Sequence, residues 1–149
     1  MCPLQAAPIL SSRLTSLRGA APMKILIIDD DKDLGTEVVT ILKRNGHEAE
    51  HVATAREGIP RVESADLDFV LVDYQMPEYD GLWFMKNVRL PLQTKVLLVT
   101  SHADREKINN MFHAGISGYV IKPFDEEELL RHLAFHSEAR TGASVEEST

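Results

Sequence analysis

The sequence predicts a parallel α/β fold, five strands alternating with five helices. Three observations carry that expectation. Phe69-Val70-Leu71-Val72 runs straight into Asp73 and is closed by Pro77; a short apolar run bounded by turn signals is a strand buried on both faces, which belongs at the centre of a parallel sheet. Ile25–Ile28 repeats the pattern and ends in Asp29-Asp30-Asp31. Between and after these runs, helical patterns alternate with further short apolar stretches, and right-handed crossovers turn such an order into one parallel sheet with helices on both faces.

The elements follow in chain order. After the first strand, Asp33–Asn45 reads as a helix, with Leu34, Val38, Ile41 and Leu42 as its buried stripe. Lys43 and Arg44 suit its C-terminal dipole and Gly46 stops it. Glu48–Ala53 gives a short second strand, and Ala55–Ser64 a weak helix that Pro60 kinks or cuts short. Beyond the strand ending at Asp73, the loop Pro77-Glu78-Tyr79-Asp80-Gly81 leads into a helix over 82–89, with Leu82, Met85 and Val88 facing inward. Lys95–Thr100 is the fourth strand. Asp104 caps a helix running to Ala114, and Gly115 ends it. Gly118–Lys122 is the fifth strand, Lys122-Pro123-Phe124 a turn, and Asp125 to about Ser137 the last helix.

With 149 residues, the chain is long enough for one domain with a real core. A net charge of −7 argues against direct nucleic-acid binding or an anionic membrane surface. No apolar run approaches a membrane span, so no membrane insertion is expected. The single cysteine, Cys2, forms no internal disulfide and fits a reducing cytoplasm. Residues 1–22 hold no acid, two arginines and three prolines, and are expected to be a disordered extension. Within them Leu10, Leu14 and Leu17 fall at helical spacing, so a short amphipathic helix is the other reading. Met23 is a natural start for the domain, 23–137; residues 138–149 read as a polar, acidic tail.

The expected strand order is 2-1-3-4-5, the flavodoxin-like doubly wound arrangement, and it makes strands 1 and 3 neighbours at the switch point. Ligands bind outside the carboxyl ends of such strands, so Asp29, Asp30, Asp73, Thr100 and Lys122 should surround one crevice, with Asp73 at a solvent-facing strand end. Three close carboxylates raise each other's pKa unless a cation joins them, and Mg²⁺, hard and oxygen-seeking, resolves the conflict. A cation-flanked aspartate can act as a nucleophile toward a phosphoryl donor. A metal, a lysine ammonium and a hydroxyl then suit the charged peripheral oxygens of the transferred group.

On these motifs the chain resembles the receiver domain of two-component response regulators over about residues 23–137. The resemblance rests on Ile-Leu-Ile-Ile-Asp-Asp-Asp, Val-Leu-Val-Asp-Tyr-Gln-Met-Pro-Glu-Tyr-Asp-Gly, Val-Leu-Leu-Val-Thr-Ser and Gly-Tyr-Val-Ile-Lys-Pro-Phe, in that order. It implies that Asp73 is the phosphoacceptor for a sensor histidine kinase or a histidine phosphotransfer protein. It also implies that Asp29, Asp30, Asp73 and the backbone carbonyl of Gln75 serve Mg²⁺, with Asp31 as the approach to the helix. Thr100 and Tyr119 match the switch pair, and Lys122-Pro123 the lysine with its usually cis peptide. Gln75 and His102 match the positions that set the lifetime of the phosphorylated state. The implied protein is no enzyme beyond catalysing its own phosphorylation and dephosphorylation. It would be a single-domain signal carrier of the chemotaxis or phosphorelay kind, reaching a downstream protein target through the face of helix 4, strand 5 and helix 5.

Rival readings are weaker. Asp29-x-Asp31 mimics the nucleophile motif of a haloacid-dehalogenase-like Mg²⁺-dependent phosphatase, but Asp33 stands where that family wants Thr or Val. A flavin carrier would need a Ser/Thr/Gly-rich phosphate loop after strand 1. Gly35, near the first turn of helix 1, either is tolerated cheaply there or lets a kinase helix approach the backbone, with exposed Val39 as an apolar contact.

Overall fold

The computed structural model describes residues 21–102 and 104–138. The expectations for the N-terminal extension, including the helix through Leu10, Leu14 and Leu17, fall outside the described residues, as does the tail from 139 onward. Five parallel strands form one sheet in the order β2-β1-β3-β4-β5, joined through four helices with a fifth after the last strand, as the flavodoxin-like reading requires. The strands are β1 (Lys24–Ile28), β2 (Glu48–Val52), β3 (Phe69–Asp73), β4 (Lys95–Thr100) and β5 (Gly118–Ile121). The helices are α1 (Lys32–Arg44), α2 (Ala55–Ser64), α3 (Gly81–Asn87), α4 (Arg105–Ala114) and α5 (Glu126–Glu138). Residues Met23–Phe124 make one compact unit; α5 belongs to a second.

Parallel pairing brings strand residues of one parity to one face. Leu26, Ile28, Val70, Val72, Val96 and Leu98 form a core with Ala55 and Val62 of α2, Phe84 and Met85 of α3, and Ile108 and Met111 of α4. The opposite face carries Ile25, Ile27, Phe69, Leu71, Leu97 and Val99, all buried. Every residue of β3 is buried, as a central strand demands. β2 is half-exposed at the sheet edge.

The helices start where side chains replace missing backbone partners. Asp31, Thr54, Asp80 and Asp104 are the N-caps of α1 to α4, each accepting from a backbone N–H two or three residues on. In the second unit, Asp125 and Glu128 form a reciprocal capping box at the start of α5: Glu128 N–H donates to Asp125 Oδ1 at 2.8 Å, and Asp125 N–H to Glu128 Oε1 at 3.0 Å. Gly115, at φ +116°, ends α4 in the left-handed region that glycine enters without strain. α2 continues through Pro60 rather than ending there. Among the described residues no helix is long and apolar enough to cross a membrane.

Several expectations need correction. β2 and β5 each end one residue earlier than expected, and α3 runs to Asn87 rather than 89. The inner face of α3 is Gly81, Phe84 and Met85; Leu82 and Val88 are only partly buried, flanking the core that Phe84 and Met85 enter. In α1, Leu34 is half-buried, and the fourth buried position is Gly35. That removes the docking role considered for Gly35: a Cβ there would collide with the imidazole of His51, so glycine faces the protein rather than a partner. Val39 is half-buried as well.

Candidate functional site

The carboxyl ends of β1, β3 and β5 converge: Asp29 and Lys122 each follow the last residue of their strands, and Asp73 is the last residue of β3. β1 ends at Ile28, and the next residue, Asp29, is 2 % exposed. Its N–H still follows the ladder, donating to Val52 O at 3.2 Å. Its side chain accepts from Asp31 N–H at 2.9 Å and from Lys122 Nζ at 2.9 Å. Asp30 is exposed. Asp31 Oδ1 accepts from Leu34 N–H at 3.1 Å, so this acid is spent on the helix start, as expected, and the Asp29-x-Asp31 phosphatase motif loses its second acid to a cap.

Asp73 closes β3. It is 8 % exposed, not solvent-facing as its strand-end position suggested, with the Lys122 ammonium and the Asp29 and Asp30 carboxylates beside it. Lys122 Nζ stands 3.5 Å from Asp73 Oδ2, farther than from Asp29. Lys122 is held in turn by its backbone N–H, which donates to Thr100 O at 2.8 Å; the Lys122–Pro123 peptide that follows is cis.

One carboxylate oxygen from each of Asp29, Asp30 and Asp73 lies within 4.8 Å of the others. Three acids and a single ammonium leave an excess of negative charge. The Asp73 carboxyl is pushed up to about 6, by burial first and the charge of Asp29 second, against the opposing pull of Lys122. Burial works to lower the pKa of Lys122, but the hydrogen bond to Asp29 and the two carboxylate charges outweigh it, so the ammonium is held above its ordinary value. Converging hard oxygens with uncompensated charge are the donor set that Mg²⁺ takes.

The remaining expected residues lie on β4, on β5 and in the loops that follow β3 and β4. Thr100, at the end of β4, is buried, and its Oγ1 accepts from His102 N–H at 3.3 Å. Tyr119, on β5 beside Leu98, is 39 % exposed and meets Phe112 of α4 edge-to-face at 6.2 Å. Gln75 and His102 are both exposed and line one small cleft with Tyr74, Thr100 and Lys107. The loop after β3 is pinned elsewhere. Glu78 sits at φ +73° and pairs with Arg56 at 3.0 Å; the Arg56 guanidinium lies over the Tyr79 ring, 5.4 Å from its centre, and Tyr79 stacks on Trp83 at 3.8 Å.

Sequence reasoning missed one support of Asp73. Gly81 N–H donates to Tyr74 O at 2.8 Å, and a Cβ at Gly81 would stand 2.6 Å from the carbonyl oxygen of Asp73. The signal was Asp80-Gly81, legible only as a turn because the close approach involves backbone from a distant part of the loop.

The chain is similar to known proteins. The family model described as response regulator receiver domain matches residues 25–134. The chain is 36 % identical over 118 residues to chemotaxis protein CheY-3 of Vibrio cholerae, covering 74 % of this chain and 88 % of that one. It is 35 % identical over 114 residues to chemotaxis protein CheY of Pseudomonas aeruginosa, covering 72 % and 90 %. Among solved structures, Vibrio cholerae CheY4 is similar with a TM-score of 0.71 at 33 % identity, over 76 % of this chain and 97 % of that one. A CheY-like receiver domain protein from Methanospirillum hungatei gives 0.76 at 28 % identity, over 81 % and 98 %.

Proposed function

We propose that this chain, which belongs to the response regulator receiver domain family, accepts a phosphoryl group on Asp73 and signals through the change that follows. The observation that carries this is the placement of Asp73: buried at a strand end, 3.5 Å from the Lys122 ammonium and grouped with Asp29 and Asp30. The donor is a phosphohistidine of a sensor histidine kinase or histidine phosphotransfer protein. An Asp73 carboxylate oxygen forms a bond to phosphorus, the phosphorus–nitrogen bond breaks, and its electron pair stays with the imidazole. Lys122 and the Thr100 hydroxyl are the donors for the phosphoryl oxygens. Mg²⁺ bound by Asp29, Asp30, Asp73 and the Gln75 carbonyl would neutralise the acids and the developing phosphoryl charge. Incubation with acetyl phosphate and Mg²⁺ followed by peptide mass spectrometry should give one phosphoryl adduct, on Asp73; an adduct on another residue, or none, overturns the assignment.

The output is a phosphorylation-dependent contact with a protein target. Thr100 and Tyr119 are the switch: drawing the Thr100 hydroxyl toward the phosphoryl group vacates space for Tyr119 to turn inward from its exposed position. That changes the surface of α4 and β5. A two-state element of this kind needs contacts that differ between its states, and the Thr100 hydrogen bond is one.

The signal's lifetime depends on water reaching phosphorus in line with the bond to Asp73. Gln75 and His102 border one cleft beside Thr100. We assign obstruction to His102 and water orientation to Gln75. His102→Ala should shorten the lifetime of the phosphoprotein several-fold, and Gln75→Leu should lengthen it. Decay of purified phosphoprotein at fixed pH in Mg²⁺ measures both; a longer lifetime in His102→Ala would mean that the imidazole assists the water.

A further inference from the structure

We infer that His51 is a positioning residue for the acid pair, holding the peptide that joins Asp29 to Asp30. The inference rests on the metal-dependent receiver reading above and concerns a residue outside the expected site. His51 lies on β2, paired in register with Ile27, so its side chain leaves the sheet on the face of Ile27. From there Nε2 reaches the backbone carbonyl oxygen of Asp29 at 2.7 Å. A carbonyl only accepts, so the hydrogen is on Nε2.

That oxygen belongs to the peptide unit between Asp29 and Asp30. Because the unit is planar, fixing its oxygen fixes the rotation before Asp30 and after Asp29 together, and with them the directions in which both carboxylates leave the main chain. The neighbouring ladder bond, Asp29 N–H to Val52 O, holds only the preceding peptide. Without the imidazole, the carbonyl of a residue only 2 % exposed would have to find another donor or turn toward one, and turning swings the acids.

Gly35 is the other half of the device. It occupies a buried place in the first turn of α1, and a Cβ there would collide with Cγ, Cδ2 and Nε2 of the imidazole. A glycine inside a helix is unfavourable against alanine, and here it leaves room for the ring at the height of the Asp29 carbonyl.

The test is calorimetric titration of the full chain with MgCl₂, comparing wild type, His51→Phe, His51→Gln and Gly35→Ala, with thermal unfolding of each in chelator. Supporting groups of this kind are worth roughly 10- to 100-fold in metal affinity, so His51→Phe should bind Mg²⁺ about tenfold more weakly while remaining folded. His51→Gln, whose amide can donate to the same oxygen, should recover most of the loss. Gly35→Ala should weaken binding by displacing the ring. Wild-type affinity in folded His51→Phe overturns the inference, as does a Gln variant no better than Phe; should Phe not fold, His51→Leu against Gln gives the same comparison. A wild type that binds no Mg²⁺ overturns the receiver reading itself, which separates the two failures.

Discussion

Asp73→Asn should reduce phosphoryl incorporation from acetyl phosphate to background and, in metal-free buffer at pH 7, make the fold more stable. Both effects come from one carboxylate. The amide keeps the shape but offers no anionic oxygen to phosphorus, and it removes a charge that burial and Asp29 disfavour more than Lys122 favours. A folded-state pKa of about 6 against an ordinary 3.8 means that the folded chain holds this proton more tightly than the unfolded chain. Stability from this group is therefore fully present below about pH 4 and is lost as pH rises toward 6. In full that loss is ~3 kcal/mol, reduced by solvent screening at the strand end. The Asn variant should thus exceed wild type by on the order of 1–3 kcal/mol above pH 6 and match it below pH 4. Urea unfolding of both proteins across that range, in chelator, reads the difference. Equal stability at pH 7 would mean that Lys122 fully neutralises Asp73.

Lys122→Ala should act in the opposite direction on stability. The ammonium bridges Asp29 at 2.9 Å and Asp73 at 3.5 Å, with its side chain only 16 % exposed. Removing it leaves buried carboxylates facing each other with no cation, a change that typically costs about 3–5 kcal/mol. Mg²⁺ should restore much of that loss, since a divalent ion supplies the missing charge. The rate of phosphorylation should stay low even in saturating Mg²⁺, by roughly 10²–10³-fold, the usual consequence of removing one preorganised donor. Denaturation with and without Mg²⁺, beside a phosphorylation time course, checks both. A variant that is destabilised yet phosphorylated at the wild-type rate would make Lys122 a structural counter-ion only. The two substitutions touch one network, so their effects should not add: in the background of Asp73→Asn, Lys122→Ala should cost less.

The central strands were legible because burial on both faces writes itself as an uninterrupted apolar run, and Asp29 and Asp73 stand where those runs stop. Asp31 was ambiguous among three consecutive acids, and only the bond it accepts from Leu34 N–H marks it as the cap of α1. Phe84 was not legible. A helix of seven residues makes under two turns, too few to show its inward face by periodicity, and Leu82-Met85-Val88 fits the helical period as well as Phe84-Met85 does. The burial of Asp73 was equally hidden, since Lys122 is brought beside it by the register of β4 and β5. His51 and Gly35 lie sixteen positions apart, one on a half-exposed edge strand and one in a helix turn. Only the packing of α1 against β2 makes them neighbours, and no local pattern in either segment records the Asp29 carbonyl between them.

The stack of Arg56, Tyr79 and Trp83 over the loop after β3 has an optical consequence. Trp83 is the chain's single tryptophan, so emission excited at the red edge of protein absorption comes from one ring. That ring lies nearly parallel to Tyr79, with an interplanar angle of 15°, and a guanidinium charge sits over its neighbour. Any event that slides Tyr79 along the indole, or releases Arg56 from Glu78, alters the field and the contact that set the emission. The fluorescence of the unlabelled protein is therefore a gauge of this one loop, which begins at the residue after Asp73.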